Sequence, residues 1–216
     1  MKIKIFNTSF LNFKNQCYLV YDNFIGILID PSWNYSLINN FLKYNNIILK
    51  AVLLTHSHFD HTNLANKFSK VYNVPVYMSQ IEIDFFNFNC KNLVGILHLE
   101  TLHLSNIKIQ NISTPGHTIG SSSFLIDNHL FTGDSIFIEG VGLCDLKSGD
   151  PHQMYTSVQF LKEYLNENTC FWPGHSYGKE PGKSMVFLLK NNIYFQFTTA
   201  ESFVKFRMRK KSYFYI

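Results

Sequence analysis

The chain has 216 residues, 46% of them hydrophobic and 16% charged, enough for a single domain spanning 1–216 with its own buried core. No stretch approaches the roughly 20 consecutive apolar residues of a membrane span, and residues 1–10 alternate polar and apolar without the apolar core of a secretory signal, so a cytoplasmic protein is expected. The net charge of +4 is local: Lys205, Arg207, Arg209, Lys210 and Lys211 form a short basic tail (205–211), and without these five the balance falls to −1.

Taken in order, residues 2–6, 16–21 and 24–29 are predicted strands, the last two turning at Asp22-Asn23. Residues 34–44 have helical spacing, and 51–54 form a short apolar run suited to a buried strand. The polar segment 55–61 should open a helix reaching about residue 71. A strand at 74–78 and a helix at 80–88 follow, then strands at 107–112, 122–126 and 129–131, the last pair turning at Asp127-Asn128. Pro151 in the first turn and regular apolar spacing predict a helix over 151–166. A strand at 169–172, a helix at 181–190 and an edge strand in the alternating Lys205-Phe206-Arg207-Met208-Arg209 complete the chain. Hairpins mixed with helical crossovers imply an α/β fold with mixed sheets covered by helices, which a four-layer αββα sandwich satisfies. The cysteines Cys17, Cys90, Cys144 and Cys170 form no CxxC pair and are expected to be reduced.

Residues 56–61 read His-Ser-His-Phe-Asp-His, directly after a predicted buried strand. Imidazole and carboxylate are ligands for zinc and similar metals, and one catalytic ion uses about three protein groups. Four candidates in six residues therefore suggest two ions. His117, Asp134 and His175 each follow a predicted strand beside a glycine, where loops gather at one end of a sheet. His98, His103, His129 and His152 have no such company and are expected at the surface.

THSHFDH at 55–61, GHT at 116–118, GDS at 133–135 and PGH at 173–175 resemble the ordered motifs of the metallo-β-lactamase superfamily, and Asp30 in IDP resembles its first. The resemblance implies the αββα metallo-β-lactamase sandwich and two divalent metal ions, zinc ahead of iron or manganese. It implies that His56, His58 and His117 hold one ion, that Asp60, His61 and His175 hold the other, and that Asp134 bridges them. Asp60 and Asp134 would then act in catalysis, with an activated water as nucleophile.

The stretch 132–177 is similar to the glyoxalase II branch of thioester hydrolases, and Tyr177 matches a substrate-pocket tyrosine of that pattern. GHSYGKEPG followed by LLKNNIYFQF resembles the small stand-alone hydrolases of trans-acyltransferase polyketide synthase clusters, which implies removal of acyl groups from the phosphopantetheine arms of an acyl-carrier protein. A glyoxalase II-type hydrolase of glutathione thioesters is the alternative. Against it stand Leu143 and Asp145 where that pattern is basic, and only 41 residues after His175. A mononuclear-iron dioxygenase and a lactonase or β-lactamase are further enzyme rivals, and a non-catalytic metal-stabilised interaction protein is disfavoured by the retained Asp60. For the basic tail a solvated face comes first, docking of an acidic carrier protein second and nucleic acid third.

Overall fold

The computed structural model describes residues 1–209, so Lys210 and Lys211 lie outside the described residues. A first sheet runs β1 (Lys2–Phe10), β2 (Phe13–Asp22), β3 (Ile25–Ile29), β4 (Ile48–Leu53), β5 (Val76–Ser79) and β6 (Leu93–Ile96), in that spatial order. A second holds β7 (Thr101–Leu104), β8 (Ile107–Ser113), β9 (Ser122–Ile126), β10 (His129–Gly133), β11 (Cys170–Pro173) and β12 (Lys183–Ser184), again in sequence order. Both sheets are mixed: β3 to β6 pair in parallel after an antiparallel start, and β10 pairs in parallel with β11 between antiparallel neighbours. The helices are α1 (Tyr35–Tyr44), α2 (Phe59–Thr62), α3 (Ala65–Tyr72), α4 (Gln80–Phe86), α5 (Pro151–Tyr164), α6 (Met185–Asn191) and α7 (Ala200–Arg207).

Period-two alternation divides these strands among three cores. On β2, Cys17 and Leu19 face a cluster shared with α1 and α3, where Ile38, Leu42 and Phe68 are buried. Tyr18 and Val20, on the opposite face, meet Ile107, Ile109, Phe124 and Phe131 of the second sheet. Leu130 points from β10 to a third cluster with Met154, Val158 and Leu161 of α5, Leu188 of α6 and Phe203 of α7. Helix, sheet, sheet and helix are thus held by three apolar interfaces, the αββα order that the sequence pattern implies. Each fully buried Leu, Ile or Phe contributes about 1.5–3 kcal/mol.

Four expectations need correction. The helix foreseen after residue 55 is two, because Asn63 Oδ1 accepts from Trp33 N and Leu64 N donates to Pro31 O, pulling the chain aside between α2 and α3. The segment Lys205 to Arg209 is no edge strand: Thr199 caps α7 through a bond from Ser202 N, and Phe203 and Phe206 pack at helical spacing on Tyr194 and Phe197. The helix expected over 181–190 starts only at Met185, after β12. His129 is half-buried and accepts from Trp172 Nε1 at 3.0 Å, whereas His98, His103 and His152 are exposed.

Candidate metal centre

Strand direction gathers the candidate ligands. Asp30 follows β3, His56 and His58 lie between β4 and α2, and Asp60 and His61 are on α2. From the second sheet, His117 lies between β8 and β9, Asp134 follows β10 and His175 follows β11. The sheets are joined at this end, with Ser122 N donating to Thr55 O at 2.9 Å and Gln16 N to Gly174 O at 2.8 Å. Gly133 and Gly174 leave no room there for a side chain. Gly133 has φ +49° and a Cβ on it would lie 2.2 Å from Thr55 Oγ1; a Cβ on Gly174 would lie 2.4 Å from His61 Cε1.

The geometry forms three donor groups, His56–His58–His117, His56–His61–Asp134 and Asp60–His61–His175, the second of which shares a residue with each of the other two. His58 Nδ1 lies 3.1 Å from His56 Nε2 and 3.0 Å from His117 Nε2. Ring nitrogens about 2.0–2.1 Å from a tetrahedral ion would be roughly 3.3 Å apart. In the third group Asp60 Oδ2 is 3.5 Å from His61 Nε2 and 3.3 Å from His175 Nε2. Asp134 reaches the first and third groups: Oδ2 is 3.7 Å from His117 Nε2 and 3.4 Å from His175 Nε2, while Oδ1 is 3.3 Å from His61 Nε2. All seven residues predicted as ligands therefore converge, and His61 Nε2 and Asp134 Oδ1 are buried without a hydrogen-bond partner. Orphaned polar atoms aimed at one another in a buried cluster are costly without a cation between them. This donor set fits a divalent metal such as zinc, iron or manganese.

The other ring nitrogens are held from behind. His56 Nδ1 meets Thr55 Oγ1 at 3.0 Å, His117 Nδ1 donates to Leu143 O at 2.8 Å, and His175 Nδ1 donates to Lys14 O at 2.5 Å. Asp30 accepts from His61 Nδ1 at 3.0 Å and from Thr55 N and Oγ1 at 2.8 and 2.6 Å, so one carboxylate orients candidate ligands of the first and third groups. Asn15, absent from the sequence candidates, donates to Asp60 Oδ2 at 2.9 Å and accepts from Trp33 Nε1 at 2.7 Å, which fixes its amide orientation. Its one sequence signal is a polar residue in phase with Cys17 and Leu19 on a buried stripe.

Charge separates the first group from the third. Burial pushes His56 well below the usual imidazole range and takes His58 down to about 4, helped by neighbouring histidines. Burial also opposes charge on His61 and His175, but Asp134 outweighs it, with Asp30 and Asp60 respectively, and holds them at about 10 and about 11. Burial would raise Asp60, yet the His175 bond, the His61 charge and Asn15 bring it to about 2. Asp134 is held well below the carboxylate range in the same way, by His61 and His175 against its burial.

A cavity of about 840 Å³ opens over the cluster, with His58, Asp60, His117, Asp134 and His175 at its floor. Phe137, Ile138, Val141 and Leu143 supply apolar wall, and Lys14, Lys179, Arg207 and Arg209 supply positive charge. Tyr177 also lines it, its ring stacked 5.6 Å from His175. Arg207 and Arg209, expected on a solvated face, therefore belong to the cavity wall.

A family model described as the metallo-beta-lactamase superfamily matches residues 13–175. The chain belongs to this superfamily. It is 41% identical over 211 residues to the probable polyketide biosynthesis zinc-dependent hydrolase PksB of Bacillus subtilis, covering 97% of this chain and 94% of that protein. To the probable polyketide biosynthesis zinc-dependent hydrolase BaeB of Bacillus velezensis it is 43% identical over 198 residues, covering 91% and 88%. The crystal structure of ETHE1 from Myxococcus xanthus superposes with a TM-score of 0.83 at 24% identity, over 96% of this chain and 90% of that one, a likeness of fold. Among the described residues no helix is long and apolar enough to cross a membrane.

Proposed function

We propose that this metallo-beta-lactamase superfamily hydrolase acts in polyketide biosynthesis as a single-domain cytoplasmic thioesterase. It uses two metal ions, zinc by preference, and removes acyl groups from the phosphopantetheine arms of acyl-carrier proteins. The observation that carries this reading is the cavity: a floor of ligands, apolar walls and basic side chains match an acyl thioester on a long neutral arm that ends in a phosphate. Its support from relatives is that the two polyketide hydrolases match along nearly their whole length.

In the proposed site His56, His58 and His117 would hold one ion and Asp60, His61 and His175 the other, with Asp134 within reach of both. Ions bound there would supply Lewis acidity toward a thioester carbonyl and would bring the ionisation of a water near neutral pH. Asp60, fixed by Asn15 and facing His175, would orient that water. Tyr177 presents a phenol, protonated at neutral pH, that can donate to the arm. The leaving thiol ionises near pH ~8.5, so no dedicated acid is required.

Basic side chains alone would also suit the carboxylates of glutathione, so substrate choice rests on contacts beyond the cavity and on the apolar Leu143. Release of free thiol should be followed from an acyl-carrier protein and from S-lactoylglutathione on one zinc-loaded preparation. The expected ratio of kcat/KM is at least about a hundredfold in favour of the carrier, or roughly 2.7 kcal/mol of transition-state binding. A preference for the glutathione ester would overturn the carrier assignment.

A further inference from the structure

Glu82 joins the two loops that carry the three-histidine cluster. It is a fully buried carboxylate on α4, 0% exposed. Its Oε1 accepts from the Ser57 N–H at 2.9 Å and the Ser57 hydroxyl at 2.7 Å, and Ser57 sits between His56 and His58. Its Oε2 accepts from the Thr118 hydroxyl at 2.9 Å and the Gly120 N–H at 3.0 Å, directly after His117. Each oxygen is thus committed to one ligand loop. The second loop is pressed against the helix, since a Cβ on Gly120 would lie 2.3 Å from Glu82 N.

A buried carboxylate persists only where its lone pairs are used. Four neutral donors use them here. The isosteric amide could satisfy one loop but not both, because its NH2 would face a pair of donors. The local sequence hides this role: Ser79-Gln80-Ile81-Glu82 has the spacing of a capping box, in which the Glu bonds back to the helix start. Ser79 makes no side-chain cap bond, and the Glu82 side chain is turned to the loops instead.

We propose that Glu82 is the positioning residue of the three-histidine site, setting the spacing of His56 and His58 relative to His117 and hence the affinity of the ion they hold. This rests on the reading of that trio as one of two metal sites. The contrast within the centre supports it. Asp60 and His61 are oriented by side chains that touch them, Asn15 and Asp30. His56 rests on the Thr55 hydroxyl, one step removed from Asp30, and His117 has only a backbone carbonyl behind it, so the placing of the trio depends more on the loop backbone that Glu82 fixes.

Zinc content and chelator-competition affinity of the full chain test this. Glu82→Gln should weaken one ion about 10–100-fold, the usual loss for an outer partner of a metal ligand, and leave the other unchanged. The loss should persist in an Asp60→Ala background and vanish in a His58→Ala background, where the trio is already disabled. Cobalt-loaded Asp60→Ala protein reports the trio alone in its visible spectrum, and adding Glu82→Gln should shift those bands while the metal-free far-ultraviolet spectrum stays the same. Equal weakening of both ions, or a lower melting temperature with both affinities kept, would reduce Glu82 to a packing residue. If His58→Ala itself leaves zinc content at the wild-type level, the metal reading fails instead. Should Glu82→Gln not fold, the pair Ser57→Ala and Thr118→Val removes one hydroxyl from each oxygen. A smaller loss at the same ion is then expected, and wild-type affinity overturns the proposal.

Discussion

Counting the protons that leave as zinc enters would test the electrostatics of the centre most directly. In the metal-free protein His61 and His175 titrate near about 10 and about 11, so both carry a proton at pH 7. The two protons on Nε2 face Asp60 and Asp134, where the ion would lie. Coordination needs the lone pair of each Nε2, so filling this site must expel both protons. The sign follows: the groups are protonated below their metal-free values, so apparent affinity rises with pH, steeply up to about 10, and levels off only above about 11. For two protons the rise is about a hundredfold per pH unit. His56 and His58, with His58 near about 4, are already neutral at pH 7 and release none. Calorimetry of the His58→Ala variant, which isolates the Asp60–His61–His175 site, should be run in two buffers of different ionisation enthalpy. At least about two protons per zinc are expected, and uptake without release would refute the reasoning.

Two further outcomes separate chemistry from binding. Asp60→Ala removes a proposed ligand that is only partly buried, so the fold should survive while turnover drops by more than the about 10–100-fold typical of an outer-partner loss; near wild-type kcat would contradict the role given to Asp60. Reversing Lys179 and Arg209 to Glu should raise KM for phosphate-bearing phosphopantetheine thioesters, more strongly at low salt. The same variant should leave KM for an N-acetylcysteamine thioester, which lacks the phosphate, unchanged. Equal losses on both substrates would mean that these cations serve structure and not the arm.

Legibility from sequence followed physical cause. The convergence of the seven candidate ligands was legible because metal chemistry admits few residue types and because glycine stands beside them where space is tight, as at Gly133 and Gly174. Strands such as β2 and β4 were recoverable because both faces are buried in different cores, which gives continuous apolar runs. The break between α2 and α3 was not, since its cause is Pro31 and Trp33, some thirty residues earlier. The tail misled because its charges alternate by chance at period two while Phe203 and Phe206, three apart, decide the packing. β6 and β7 were missed: half-exposed four-residue strands carry almost no apolar period.

The residues behind the ligands were the least legible, and the reason is chemical. A ring N–H is satisfied equally by the Asp30 carboxylate, the Leu143 carbonyl or the Lys14 carbonyl, and a backbone carbonyl leaves no mark on residue type. The same indifference ties the cavity wall to the centre. Arg207 on α7 donates through Nε to Gly142 O at 2.8 Å, and the next carbonyl, Leu143 O, accepts from His117 Nδ1 at 2.8 Å. Adjacent carbonyls of one loop thus hold a helix that lines the cavity and a predicted metal ligand. A substitution at Arg207 would therefore disturb substrate binding and His117 together, whereas Lys179 and Arg209 line the cavity without that link. Charge at the mouth can be separated from chemistry at the floor only through those two.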